Sequence, residues 1–138
     1  MAQVNDPQWA EIPVDKRGGW NFFDDPSVGE RGLSTKGSIP RGGASFRLKR
    51  DIKKSGKIGT VTGAQWARAR IGDEDFTIMG PGRQSGEYPD QGCLQEIYSS
   101  PDPAKYMELE LLSPIHSLKP GERATFTTRW RLDKAKGD

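Results

Sequence analysis

Apolar and polar residues alternate in short runs over the second two thirds of this chain, and glycine- and proline-rich turns separate the runs. Period-two alternation of this kind marks half-buried β-strands. Ser45–Lys49 (SFRLK) predicts a short strand, and Lys57–Thr62 (KIGTVT) predicts a second from its β-branched residues. Ala64–Ile71 (AQWARARI) reads two ways. Its alanines and arginines suit a helix, yet Trp66, Arg68 and Arg70 alternate with Ala67, Ala69 and Ile71. The GDED turn that follows, with Phe76–Met79 beyond it, favours two arms of a hairpin.

Three further strands are expected toward the carboxy terminus. Cys93–Ser99 places Cys93, Gln95 and Ile97 on one face and Leu94, Glu96 and Tyr98 on the other. In Tyr106–Leu112, Met107, Leu109 and Leu111 share a face and Glu108 and Glu110 point the other way. Lys119-Pro120-Gly121-Glu122 is a turn, with proline presetting its first central position and glycine supplying a positive φ at the second. Ala124–Leu132 alternates most regularly and predicts Ala124, Phe126, Thr128, Trp130 and Leu132 pointing inward.

Residues 1–44 carry little periodicity and are expected to be irregular and loop-rich. Trp20, Phe22 and Phe23 cluster there, and residues 27–44 read as one long exposed loop. The expected organisation is one domain: an irregular segment over 1–44, an antiparallel β-sheet domain over 45–133 and a polar tail over 134–138. The expected fold class is all-β, an antiparallel β-sandwich.

Composition agrees with this outline. The 138 residues suffice for one ordinary domain, and 17 glycines with 10 prolines suit many short strands. The formal net charge of +2 favours neither a nucleic-acid footprint nor a membrane-surface one. The basic stretch Arg31–Lys54 holds one aromatic ring, Phe46, too few for base stacking. No nucleic-acid or membrane partner is therefore expected. A single cysteine excludes an internal disulfide framework. The amino terminus shows no basic, apolar signal pattern, which makes a cytoplasmic location the expectation.

The segment Tyr88–Leu132 resembles the closing strands of the galactose mutarotase-like (aldose 1-epimerase) superfamily. The matching pieces are Tyr88-Pro89-Asp90-Gln91-Gly92, Glu96-Ile97-Tyr98, Pro101-Asp102, Glu108-Leu109-Glu110 through Ser113-Pro114, Leu118-Lys119-Pro120-Gly121-Glu122 and Trp130-Arg131-Leu132. They are most similar to an uncharacterised bacterial branch of that superfamily. The resemblance implies a partial mutarotase-like supersandwich, about half the usual length, that binds a sugar or sugar derivative. It implies that Glu96 stands where the catalytic base does. The family's catalytic histidines come from its first half, and His116 matches none of them. The chain thus reads as a carboxy-terminal piece or as a reduced relative that has lost its acid.

Anomer interconversion needs a base for the anomeric hydroxyl and an acid for the ring oxygen. Glu96, on a face with Leu94 and Tyr98, is the candidate base. Tyr88, Asp90, Tyr98 and Trp66 are candidates for sugar binding, as aromatic faces and polar groups that fix hydroxyls. Lys57 and Arg47 could hold an anionic substituent; the alternative for each is an ordinary surface charge. Glu108 and Glu110 read either as a cation or acid–base pair or as a charged face opposite Arg129 and Arg131. Cys93 reads as a small buried residue. No cofactor and no metal site is expected. The competing functional reading is a non-enzymatic β-sandwich that associates with itself as a homodimer, or with a missing amino-terminal half, to cover an exposed apolar face.

Overall fold

Two antiparallel sheets pack face to face in the computed structural model, which describes residues 1–14 and 45–137 in full and the backbone alone of Trp20–Phe22 and Gly37–Ser38. In chain order the strands are β1 (Ala2–Asn5), β2 (Trp9–Pro13), β3 (Trp20–Phe22), β4 (Gly37–Ser38), β5 (Ser45–Leu48), β6 (Gly56–Thr60), β7 (Trp66–Ile71), β8 (Glu74–Met79), β9 (Gln95–Ser99), β10 (Tyr106–Leu111) and β11 (Arg129–Lys134). One sheet has the order β1-β10-β9-β6-β3, the other β11-β8-β7-β2-β5-β4. The chain is therefore an all-β sandwich, as its alternation predicts.

The register lines up one apolar layer on each inner face. In the five-stranded sheet Ala2 pairs with Leu109, Val4 with Met107, and Ile97 lies between Leu109 and Ile58. In the six-stranded sheet Ala10 pairs with Leu48 and Ala69, Ile12 with Phe46, and Ala67 with Ile78. These residues form one buried cluster. Ala10, Ala67 and Ala69 are small, so the sheets meet with large side chains on one side and small ones on the other.

The ambiguous Ala64–Ile71 segment is strand from Trp66. Its alanines point inward, its arginines point outward, and it pairs with both β2 and β8. Tertiary pairing outweighs the helical preference of alanine and arginine. Gly72 at φ 59° begins the turn into β8, and Gly121 at φ 87° closes the expected Lys119–Glu122 turn, where the Glu122 N–H donates to Lys119 C=O at 3.0 Å.

Two expectations are corrected. The segment before Ser45 opens with β1 and β2, and β2 lies inside the six-stranded sheet between β7 and β5. It escapes a periodicity search because all five of its residues are buried: Ala10 and Ile12 in the core, Trp9 and Glu11 beneath outer arginines. The expected loop at 27–44 and the side chains of Trp20, Phe22 and Phe23 lie outside the described residues. The last strand is also shorter than its alternation suggests. Residues 124–128 form no strand, and β11 is the outermost strand of its sheet, so Trp130 and Leu132 stay 61% and 57% exposed. An alternating pattern reports two chemically different faces; it does not report whether a second sheet covers one of them.

Because Ile12 is fully buried at the centre of the sandwich, Ile12→Ala should destabilise the protein by about 2–5 kcal/mol. Urea denaturation measures this, and a change below 0.5 kcal/mol, as expected of a loop residue, would show that the amino-terminal segment is not part of the core.

Candidate functional site

The outer face of the five-stranded sheet brings together Glu96 and Tyr98 on β9, Glu108 and Glu110 on β10, and Gly59 and Lys57 on β6. Cross-strand register makes two rows, Glu110–Glu96–Gly59 and Glu108–Tyr98–Lys57. Glu96 is 0% exposed although it points away from the sandwich core.

The segment just before β9 explains its burial. Pro89–Gly92 makes one tight turn in which Asp90 and Gln91 take left-handed φ values of 51° and 60°. Aspartate tolerates that region better than glutamine, so Gln91 sits in a conformation that costs energy. The turn lays Cys93 over Gly59: a Cβ placed on Gly59 would lie 2.5 Å from Cys93 Sγ and 3.1 Å from Glu96 Cγ. Glycine is required because the thiol and the glutamate stem occupy the space of a side chain. Cys93 is buried, as its residue type suggests, but on the Glu96 side and not with Gln95 and Ile97. Strand alternation starts only at Gln95, after the turn has redirected the chain.

Buried amides hold the start of β9. The Gln65 side chain donates to Leu94 C=O at 2.9 Å and to Leu112 C=O at 2.7 Å. The Gln95 amide donates to Thr60 Oγ1 at 2.6 Å and Thr62 Oγ1 at 2.9 Å, and the Thr60 hydroxyl donates to Pro13 C=O at 2.8 Å. Gln65 precedes β7, so its two bonds tie the six-stranded sheet to the edge of the candidate site.

Among the described residues, Lys57 is the cation of this face. Its Nζ lies 2.5 Å from Glu96 Oε2 and 3.4 Å from Glu110 Oε2. Burial lifts the Glu96 pKa from 4.5 to about 7; Lys57 opposes the shift and Asp90, a second carboxyl, adds to it. Burial also works against the Lys57 ammonium, but Glu96 and Glu110 outweigh it and hold its pKa above 10.5. The Glu108 carboxyl is raised as well, by burial and then by Glu110. The arrangement is a glutamate poised near neutral pH, held by a lysine and flanked by further carboxyls. Those are the properties of a general acid–base group.

Four of the expected residues, Glu96, Asp90, Tyr98 and Lys57, share this face. Tyr98 lies against Tyr106 with the rings tilted by 43° and their centroids 6.0 Å apart. Tyr88 has another role. Its ring is buried under the Arg83 guanidinium, 5.1 Å from the centroid, and its hydroxyl accepts the Gln84 N–H at 2.9 Å. It braces the 83–92 loop and offers no open ring to a ligand. Trp66 does not join the site: β7 carries it on the outer face of the opposite sheet, beside Met79. Glu108 and Glu110 do not face Arg129 and Arg131, because β11 pairs with β8 in the other sheet. Their neighbouring cation is Lys57. His116 is exposed on the chain after β10. Glu110, Gly59 and the turn that covers Glu96 join the site through register, which residue type alone does not reveal.

The outer face of the six-stranded sheet holds a second polar cluster. Trp9 lies under Arg47, Arg70 and Arg68, at 3.8, 4.9 and 5.5 Å from its ring. Buried Glu11 accepts from Arg68 Nη2 at 2.6 Å, with Arg47 at 3.7 Å, and Asp75 accepts from Arg70 Nε at 2.5 Å. The arginines are thus matched by carboxylates and by an indole face, which suits the burial of Glu11. Arg47, a candidate for an anionic sugar substituent, belongs to this cluster and not to the Glu96 face.

Among the described residues, no group of three or more His, Cys, Asp or Glu is arranged to hold a metal ion, and no helix is long and apolar enough to cross a membrane. In comparisons with known proteins, the chain matches no family model, no curated protein and no solved structure.

Two outcomes follow from this geometry. Gly59→Ala should destabilise the fold by about 1–3 kcal/mol through overpacking, and Cys93→Ala in the same chain should recover part of the loss; denaturation curves of the single and double variants check both. The native state holds the Glu96 proton more tightly than the unfolded chain does, because the pKa rises from 4.5 to about 7 on folding. The stabilisation from Glu96 is therefore complete below its unfolded pKa and is lost as pH rises through about 7. Relative to Glu96→Gln, the wild-type protein should lose on the order of 2–3 kcal/mol between pH 4 and pH 8, read from urea titrations across that range. A flat difference would show that Glu96 titrates normally.

Proposed function

We propose that the outer face of the five-stranded sheet binds a sugar or sugar derivative and that Glu96 acts there as a general base for anomer interconversion. The single observation that carries this reading is Glu96 itself: a carboxyl 0% exposed, with its pKa lifted to about 7, within 2.5 Å of an ammonium group. The likeness of the segment Tyr88–Leu132 to the closing strands of mutarotase-like proteins supports it, since Glu96 stands at the position of their base.

In this reading Tyr98 offers an aromatic edge and Glu110 and Asp90 accept hydroxyl hydrogen bonds. Lys57 holds Glu96 in place; a pKa above 10.5 makes it a poor proton donor. The Pro89–Gly92 turn, strained at Gln91, opens to admit the anomeric carbon. Glu96 removes the proton from the anomeric hydroxyl, the oxygen's electrons form the carbonyl, and the bond from the anomeric carbon to the ring oxygen breaks. The ring oxygen takes a proton from water. Rotation about the adjacent carbon–carbon bond and the reverse steps return the other anomer and restore the Glu96 carboxylate and the water.

The test is exchange NMR of freshly dissolved aldoses with the purified protein. Anomer exchange should accelerate in the presence of wild-type protein and rise with pH through about 7, as Glu96 becomes a carboxylate. Glu96→Gln should lower that acceleration by about 100-fold or more, while saturation-transfer contacts between sugar and protein persist. An unchanged rate in Glu96→Gln would remove Glu96 from the base's role, and a wild-type protein that contacts no sugar would overturn the reading as a whole.

A further inference from the structure

Among the described residues no strand pairs with the outer edge of β11, the last strand of the six-stranded sheet, and its sequence is self-complementary. β11 pairs with β8 on one side, with Arg129 opposite Met79 through Lys134 opposite Glu74. The order of the sheet ends there. The Ala135 N–H donates to Asp73 C=O at 2.8 Å, one step beyond the last pair. Hydrogen-bonded pairs alternate along an antiparallel ladder. Arg129, Arg131 and Asp133 therefore turn their backbone groups toward β8, while Trp130, Leu132 and Lys134 turn theirs to the open edge. Those three residues also share the inward-facing side of the sheet. Trp130 meets Phe76 edge-on at 5.5 Å, yet Trp130 and Leu132 remain 61% and 57% exposed. A flat open edge with apolar side chains beside it is a template for another strand.

We infer that the occupant of this edge is β11 of a second copy of the chain, paired antiparallel about Leu132. Register and charge single out this pairing. Only edge-facing residues can exchange hydrogen bonds across the seam, which restricts a two-fold pairing to centres at or between Trp130, Leu132 and Lys134. Centring on Arg131, Asp133 or Lys134 sets that charge against its own copy, and centring on Trp130 sets Arg129 against Arg131 twice; like charges directly opposite are destabilising. Centring on Leu132 sets Leu132 against Leu132, Arg131 against Asp133 twice, and Trp130 against Lys134 twice. The Arg131–Asp133 contacts across the seam are then of opposite sign and extend the ion pair that the two residues already make at 2.5 Å within each strand, while Lys134, whose ammonium holds Asp73 at 2.8 Å, lays its methylenes along the indole. A two-fold axis normal to the sheet keeps inner faces on the same side, so the two Trp130–Leu132 strips merge into one apolar patch across a continuous sheet. Such an isologous contact closes on itself as a dimer. It uses neither Glu96 nor the face that carries it, and stands apart from the sugar-binding proposal.

Sedimentation equilibrium of the intact chain over a concentration series tests the inference. The wild-type protein should sediment as a dimer. Arg131→Asp and Asp133→Arg, each of which places like charges opposite one another twice, should each weaken dimerisation about tenfold or more. The double exchange Arg131→Asp with Asp133→Arg restores opposite charges in both pairs and should restore the dimer. Leu132→Pro removes an N–H that β8 does not use, so it should yield a monomer whose circular dichroism still reports the sandwich. A wild-type chain that stays monomeric throughout the series overturns the proposal. So does a dimer that both single charge reversals leave unchanged, or a double exchange that fails to recover association.

Discussion

A single apolar layer between two sheets decides the rest of this molecule. Ile97, Met107 and Leu109 on one side face a wall lowered by Ala10, Ala67 and Ala69 on the other. Once that layer is dry, the period of two leaves each neighbouring residue no choice of face. Glu96 must point outward because Ile97 points inward; Arg68 and Arg70 must point outward because Ala67 and Ala69 do not. A slip of one residue in β9 would put Glu96 into the core and Ile97 into water, so core packing and the placement of the candidate base are one constraint.

Outward does not mean exposed in this protein. Both outer faces bury charge, by different means. On the six-stranded sheet, three arginines cover Trp9 and satisfy Glu11 and Asp75, so opposite charges lie together. On the five-stranded sheet, among the described residues, carboxyls outnumber the cation: Lys57 serves Glu96 and Glu110 together, with Asp90 near Glu96. The first arrangement gives each of its two carboxylates an arginine partner. The second leaves a carboxyl whose proton is held up to about pH 7, and a group in that state can exchange a proton with a ligand where a balanced ion pair cannot.

Much of the strand content is legible in the sequence. SFRLK, KIGTVT, the two arms around Gly72, and YMELELL all become strands near their expected positions, and three of them, β5, β7 and β10, alternate buried with more open positions as a strand with one covered face does. Where both faces are covered the signal disappears. β2 reads as featureless, since Trp9 and Glu11 are buried under arginines that are distant in sequence. Where a face is only partly covered the signal misleads: the regular alternation of Ala124–Leu132 suggests a core strand and Phe126 does pack against the core, but β11 lies at an edge with Trp130 and Leu132 largely exposed. An aromatic ring suits a sugar, which makes Trp66 a binding candidate by residue type alone. Membership of a sheet is a long-range property, and β7 takes it to the opposite side.

By itself the sequence determined the all-β class, the turns at Gly72 and Gly121, the opposite facing of Glu96 and Ile97 and the small, buried character of Cys93. These depend on local alternation, on backbone conformations open chiefly to glycine, and on side-chain size, all written within a few residues. Tertiary structure alone decided that Lys57 and Glu110 meet Glu96, that Gly59 leaves the space that Cys93 fills, and that Tyr88 braces a loop. The shift in the Glu96 pKa follows from those decisions. Desolvation and ion pairing depend on what strands distant in the chain bring within a few ångströms, and that distance is set by the register of the sheets.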